Sequence, residues 1–119
     1  MSILQESLRR FLAIDGVRTA ALIDVATGMI VRAAGQADPG LPLTAACVAD
    51  EARAVRSATG GADALVEITT VTDSRLHVSR ILLDQPGEGM LLFVDVDRAR
   101  SNIGLASLKV SELAPAVLG

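Results

Sequence analysis

Few side chains in this sequence could do acid–base or nucleophilic chemistry, and their sequence context argues against it. His77 is the only histidine, so no pair of histidines can act together. Because Leu76 and Val78 flank it in a pattern typical of a strand, we interpret His77 as a polar residue on a strand face. Cys47 is the only cysteine, which excludes an intrachain disulfide. A catalytic thiol needs a nearby cation to stabilise its thiolate, and no spacing here supplies one, so we expect Cys47 to be a small buried residue of a helix.

Two pairs of acidic residues are the other candidates for acid–base or metal chemistry. Asp50 and Glu51 are adjacent on a predicted helix, so their side chains face different directions. Asp95 and Asp97 share a strand face, but Asp97 stands where a strand passes into a helix and is the expected cap of that helix. A hard cation needs several more oxygen ligands than two carboxylates provide. We therefore predict structural roles for all four residues.

The glycine-rich segments are typical of turns and not of a phosphate-binding loop. Neither Gly60-Gly61 nor Gly87-Glu88-Gly89 is followed by the Gly-Lys-Ser/Thr sequence that cradles nucleotide phosphates. The sequence thus predicts no catalytic residue, no cofactor and no metal site, and we do not expect an enzyme.

The length and composition indicate one globular domain over residues 1–119. Of these 119 residues, 50% are hydrophobic and 21% are charged. A net charge of −3 and an aromatic content of 2% argue against binding of nucleic acid, which requires clustered basic residues and stacking side chains. No apolar run approaches the ~20 residues of a membrane span and no signal peptide is visible, so we expect a cytoplasmic protein. The high alanine content and the preference for arginine over lysine suggest a GC-rich genome.

The hydrophobic pattern predicts the order helix, two strands, helix, three strands, helix, which defines an α+β fold. The first helix begins after Ser2, an N-cap residue, and Gln5 is placed to complete a capping box. A hairpin of strands at 17–25 and 29–34 follows, and Gly28 can supply the positive φ that its turn needs.

In the second half of the chain, the strand at 90–96 is apolar on nearly every position, like the strand at 17–25. Both faces of these two strands must therefore be covered, which places them at the centre of the sheet. The other predicted elements are a loop at 35–42, a helix at 44–58, strands at 65–71 and 75–83, a loop at 84–89, and a final helix capped by Asp97. The apolar stripe of the middle helix comprises Leu41, Ala45, Val48, Ala52 and Val55.

Several segments carry a resemblance that covers essentially the whole chain. They are Ile14-Asp15-Gly16-Val17, Ala21-Leu22-Ile23-Asp24 running to Thr27-Gly28, Leu91-Leu92-Phe93-Val94, and Arg100-Ser101-Asn102-Ile103-Gly104-Leu105. No single segment is specific, but in this order and spacing they resemble the roadblock/dynein light chain family, in particular its bacterial and actinobacterial members.

The resemblance implies a three-layer α/β/α sandwich related to profilin. Its five-stranded antiparallel sheet would have the strand order 2-1-5-4-3, with the middle helix on one face and the terminal helices on the other. Members are usually homodimers in which middle helices and third strands meet to form a ten-stranded sheet. In bacteria they commonly accompany small Ras-like GTPases, as activators or scaffolds, and in actinobacteria they also lie near sensor kinases.

The residues favour a homodimer on independent grounds. The predicted strand at 65–71 would be an edge that carries Val66 and Ile68, and an apolar edge normally needs covering or pairing. Small side chains on the middle helix would permit close approach of a second helix, or they could simply pack on the chain's own sheet. The predicted interface comprises Ala45, Val48, Ala49, Ala52, Val66 and Ile68.

Arg53 and Arg56 lie off the apolar stripe of the middle helix and are expected to face solvent. They are the candidate residues for partner contact. An arginine supplied to a GTPase in trans could stabilise charge during phosphoryl transfer, but we favour a scaffolding or allosteric role.

Our leading hypothesis is a non-enzymatic, homodimeric regulatory module that binds a small Ras-like GTPase or an associated signalling component. The alternative is a small-molecule-sensing domain with an architecture like that of profilin, PAS or GAF domains. Such a sensor would need an apolar cavity with a few convergent polar groups.

Overall fold

The chain folds as five antiparallel strands and three helices in the part that the computed structural model describes, residues 2–85 and 87–119. In chain order the elements are α1 (Ile3–Phe11), β1 (Val17–Asp24), β2 (Ile30–Gly35), α2 (Leu41–Thr59), β3 (Glu67–Val71), β4 (Arg75–Gln85), β5 (Glu88–Asp97) and α3 (Ile103–Leu113). Short 3₁₀ turns at Arg98–Arg100 and Ala114–Ala116 flank α3. The strand order is β2-β1-β5-β4-β3, so the predicted fold class, element order and strand order are confirmed.

The helices cover opposite faces of the sheet and divide the core into two. Leu8 and Phe11 of α1 pack with Val110 of α3 on one face. Ala45 of α2 packs on the other face, in the same cluster as Phe93 of β5. Because successive side chains of a strand point to opposite faces, β1 and β5 contribute to both clusters. The predicted covering of these two strands on both faces is confirmed.

The turn between β1 and β2 has the predicted geometry. Gly28 has a φ of +76°, and its N–H donates to the carbonyl of Asp24 at 2.7 Å. The Asp24 carboxylate accepts from the Ala26 N–H at 2.9 Å. A Cβ atom on Gly28 would lie 3.2 Å from the Cα of Ala46, so glycine also lets this turn approach α2 closely.

Helix α2 begins earlier than predicted and presents a slightly different face. It starts at Leu41, because Pro42 lies in the first turn, where its missing N–H has no intrahelical partner to lose. It ends at Thr59, one residue beyond the predicted end, and the C-cap residue Gly60 has a φ of +62°. Its buried face includes Ala49, which the predicted stripe omits, whereas Val48 and Val55 are only half-buried.

Among the described helices, none combines the length and the apolar composition that a membrane span requires.

The strands of the second half differ from prediction at their ends. The predicted loop at 84–89 is wrong at both margins, because Asp84 pairs with Gly89 and Gln85 pairs with Glu88 to extend the β4–β5 hairpin. Pro86, within that predicted loop, lies outside the described residues. Strand β3 begins at residue 67 and not at 65.

The cap of the last helix is Asn102 and not Asp97. The Asn102 side chain accepts from the Leu105 N–H at 2.9 Å at the start of α3. Asp97 does act as a cap, accepting from Ala99 at 3.0 Å, but it caps the preceding 3₁₀ turn. The prediction missed this turn because a single 3₁₀ turn is too short to show a hydrophobic period.

Candidate interaction surface

Strand β3 forms one edge of the sheet, and no strand of the described chain pairs with its outer side. Val66 and Thr72 both form backbone hydrogen bonds to β4. Because the inward and outward directions of backbone groups alternate along an edge strand, Glu67, Thr69 and Val71 direct their N–H and C=O groups away from β4. These outward groups are available to another strand.

Apolar side chains accompany this edge. Val66 is 56% exposed and Val71 is 44% exposed. Ile68 is half-buried and packs on the same core cluster as α2. Unpaired backbone groups next to exposed β-branched side chains are the features of a strand that pairs readily with another chain.

The side chain of Glu67 anchors β3 from the opposite face of the sheet. The Ser107 hydroxyl of α3 donates to the two Glu67 carboxylate oxygens, with Oγ–Oε distances of 3.1 and 3.0 Å. The Nη1 atom of Arg80 lies 3.5 Å from Oε1 of Glu67. These contacts position the strand and leave its outward backbone groups free.

The other edge, β2, is partly closed by the chain itself. The Gln36 N–H donates to the Arg18 carbonyl of β1, so the backbone groups of Gln36 point toward β1. Because the direction alternates along the strand, the N–H and C=O groups of Ala33, three residues earlier, point away from β1. The Gln5 side-chain amide of α1 donates to the Ala33 carbonyl at 3.2 Å. Ser2 caps α1 as predicted, accepting from the Gln5 N–H, but the other half of the predicted capping box is wrong because the Gln5 side chain makes this edge contact.

The structure separates the predicted interface residues of α2 into two groups. Ala45, Ala49 and Ala52 are buried against the chain's own sheet, which is the alternative that the sequence left open. Val48 is half-buried, as is Val55 two turns along. At 100° per residue, Val48 and Val55 share a flank of α2. A helix-mediated interface stays a prediction, but only this flank and the solvent face remain available for it.

The predicted solvent orientation of Arg53 and Arg56 is only partly right. Their side chains are 41% and 36% exposed, but each guanidinium also bonds to a backbone carbonyl beside the end of a strand. The Arg53 guanidinium donates to the carbonyls of Val25 and Ala26 and forms an ion pair with Asp50. Arg56 Nη1 lies 3.0 Å from the Gln85 carbonyl and 2.9 Å from Oδ1 of Asp84. A guanidinium offers five donors, which lets it satisfy strand-end carbonyls that an apolar helix face could not. The role of these arginines in partner contact stays a prediction.

Beneath these two arginines lies a cavity of about 430 Å³. It is bounded by the second half of α2, the end of β1 and the β4–β5 hairpin. Its apolar lining comprises Val25, Ala26, Ala52, Leu65, Ile81 and Leu83, and its charged lining comprises Arg53, Arg56, Asp63, Asp84 and Glu88.

Asp95 is a buried carboxylate in the middle of the sheet. It is 3% exposed and forms an ion pair with Arg75 of β4. Its Oδ1 atom has no hydrogen-bond partner among the described residues and lies 3.4 Å from Nε2 of His77. The His77 ring packs edge-on against Phe93, with ring centroids 4.9 Å apart. His77 thus lies on a polar strand face as interpreted, within a charge cluster that the sequence did not reveal.

Cys47, Asp50 and Glu51, the remaining candidates for chemistry, are all exposed on α2. Cys47 is exposed, so its predicted burial is wrong: it projects from the side of α2 that faces away from the sheet. Asp50 and Glu51 are both exposed. Among residues 2–85 and 87–119, no three histidine, cysteine or acidic side chains are grouped so that they could hold a metal ion.

No protein-family model matches this sequence, and no curated protein matches it either. Solved structures do match across nearly the whole chain. The gliding protein MglB of Thermus thermophilus is 21% identical, with a TM-score of 0.79 over 97% of this chain and 85% of that one. A Roadblock/LC7 domain from Streptomyces avermitilis is 17% identical, with a TM-score of 0.78 over 98% and 96%. MglC from Myxococcus xanthus is 14% identical, with a TM-score of 0.67 over 98% and 97%.

The strand order, the two helical layers and these structural likenesses agree with one another and with the resemblance carried by the sequence. The chain therefore has the fold of the Roadblock/LC7 domain.

Proposed function

We propose that this chain is a non-enzymatic regulatory module that forms a homodimer through β3 and binds a small Ras-like GTPase or an associated signalling component. The observation that carries the dimer is the difference between the two sheet edges. At β3 the outward backbone groups are free beside exposed Val66 and Val71, whereas at β2 the Gln5 amide occupies the Ala33 carbonyl. An edge left open in this way favours pairing with a second copy of itself.

One register pairs the whole of strand β3 with its copy. A two-fold axis through Thr69 places Thr69 opposite its counterpart and Glu67 opposite the Val71 position of the second copy. The outward groups of Glu67, Thr69 and Val71 then all find partners. An axis through Glu67 would instead place two carboxylates opposite each other and leave half of the strand unpaired.

The same axis brings the two α2 helices onto one face of the extended sheet. A two-fold axis that pairs identical strands antiparallel is perpendicular to the sheet, so equivalent faces stay on the same side. The exposed side chain of Val66 and the half-buried Val48 and Val55 would supply apolar area between the subunits. This arrangement keeps Val48, Val66 and Ile68 of the predicted interface and leaves the three alanines in the core of each subunit.

The GTPase part of the proposal draws on the family resemblance and on the fold. Solved structures with this fold include proteins named MglB and MglC, one of them a gliding protein and one described as MglB with a tetrameric arrangement. The resemblance associates bacterial members with small Ras-like GTPases. Arg53 and Arg56 already engage the chain's own carboxylates and carbonyls, which supports a scaffolding role over donation of an arginine to the nucleotide.

The dimer is tested with Thr69→Pro, which removes an outward N–H and no bond to β4. Light scattering should give the wild type twice the 12.3 kDa mass of one chain, and Thr69→Pro the mass of one chain. Thr69→Ala keeps the N–H and should remain dimeric. A wild type that stays monomeric at high micromolar concentration would refute the dimer.

Calorimetric titration with a small Ras-like GTPase encoded beside this chain then tests the partner. We expect binding that differs by about tenfold or more between the GDP and GTP-analogue states, and weaker binding to Thr69→Pro. Absence of binding in both nucleotide states would refute the GTPase assignment and leave the dimer standing.

A further inference from the structure

The cavity beneath Arg53 and Arg56 exists because α2 presents small side chains to the sheet. Ala45 and Ala49 allow the first half of the helix to sit close to the sheet and to the Gly28 turn. Farther along, Ala52 faces Leu65 and Ile81 with no larger side chain to fill the intervening space. About 430 Å³ remains, which is within the usual size range of small-molecule sites.

Two arginines that line the cavity form polar contacts with backbone carbonyls of residues that also line it. Arg53 reaches the carbonyl of Val25, just after β1, and Arg56 reaches the carbonyl of Gln85, the last residue of β4. These bonds fix the second half of α2 to the strand ends.

The charges around the cavity select the sign of a ligand. Arg53 is paired with Asp50 and Arg56 with Asp84, so both guanidinium charges are matched within the chain. Asp63 and Glu88 also line the cavity, and neither carboxylate forms an ion pair with another described residue. The uncompensated charge of the residues that line the cavity is thus negative.

We propose that this cavity binds a small organic cation that has a short hydrocarbon body and a primary ammonium or guanidinium head. The body would rest on the apolar floor formed by Ala52, Leu65 and Ile81. The head would lie between the carboxylates of Asp63 and Glu88, where charge-assisted hydrogen bonds hold N–H donors. No aromatic residue of the described chain lines the cavity, which disfavours a quaternary ammonium because that group is held by cation–π contacts. The proposal is independent of self-association.

Hexylammonium is the probe for the test, and hexanoate and hexanol are its matched controls of equal chain length. In nuclear magnetic resonance titrations of the full chain, hexylammonium should shift the amide signals of residues 52–57, 61–65 and 83–85. It should bind more tightly than either control by about tenfold. Equal or tighter binding of hexanoate, equal binding of hexanol, or no shift with hexylammonium at millimolar concentration would each overturn the proposal.

Variants of the floor and of the carboxylates test the apolar and the electrostatic contributions to binding separately. Ala52→Leu adds three carbon atoms to the apolar floor without changing any charge and should weaken hexylammonium binding by about tenfold or more. Ala54→Leu, on the exposed side of the same helix, should bind like the wild type. The double variant Asp63→Asn and Glu88→Gln alters exposed residues only and should weaken hexylammonium binding by about tenfold. Unchanged affinity in this double variant, or in Ala52→Leu, would contradict the assigned site.

Discussion

At the residue scale, the buried charge cluster around Asp95 was hidden from sequence analysis. Asp95 lies in the otherwise apolar segment at 90–96, and the sequence linked it only to Asp97, two residues away. Its partner Arg75 is 20 residues distant, and the two meet only because of the register between β4 and β5. A pattern of residue types along one strand gives no information about the register of its neighbour.

Arg75→Met should destabilise the chain by about 3 kcal/mol, because it leaves the Asp95 carboxylate buried without its cation. The double variant Arg75→Met and Asp95→Leu removes both charges and should recover most of that loss. Urea denaturation measures the free energy of unfolding of each. Arg98→Met, which loses only a surface hydrogen bond to the Thr72 carbonyl, is the control. A cost for Arg75→Met no greater than that of the control would contradict the importance of the cluster.

At the element scale, the elements and their order were predictable because each one carries a clear hydrophobic period or a strong turn residue. The errors fall where tertiary contacts decide. Cys47 lies beside the apolar stripe in sequence, but α2 is rotated so that Ala49 is buried and Cys47 is exposed. Gln5 is suited to a capping box, but a neighbouring strand offers its amide a carbonyl acceptor. Neither the rotation of α2 nor the contact of Gln5 with β2 can be predicted from local propensity, because tertiary contacts decide both.

Gln5→Ala should loosen the β2 edge by removing the hydrogen bond to the Ala33 carbonyl. The net contribution of such a bond is about 1 kcal/mol, so the inward amides of Arg32 and Ala34 should exchange with solvent about fivefold faster. Amide exchange in β3 should not change. Ser2→Ala, which weakens the cap of α1 but keeps the Gln5 side chain, is the control. Equal exchange rates at β2 in Gln5→Ala and the wild type would show that Gln5 does not secure this edge.

At the scale of the whole molecule, the two edges of the sheet differ. The β2 edge is partly closed by Gln5, whereas no strand of the described chain pairs with the outer side of β3. The sequence anticipated an apolar edge at β3, but not that Glu67 would be held from the other side by Ser107, 40 residues later. It left open whether the small side chains of α2 meet a second helix or pack on the chain's own sheet, and the structure buries Ala45, Ala49 and Ala52 against that sheet. Both facts depend on how separate elements pack, and both support our proposal that a second copy pairs with the outward backbone of β3.

The most direct measurement of that claim is disulfide formation between two copies of Thr69→Cys in a Cys47→Ser background. Antiparallel pairing about Thr69 places the two Cα atoms about 5.5 Å apart, within the range that a disulfide spans. We predict that mild oxidation yields a covalent dimer, and that Ala33→Cys on the β2 edge, in the same background, yields none. A Thr69→Cys chain that stays uncross-linked while Ala33→Cys cross-links would contradict the account.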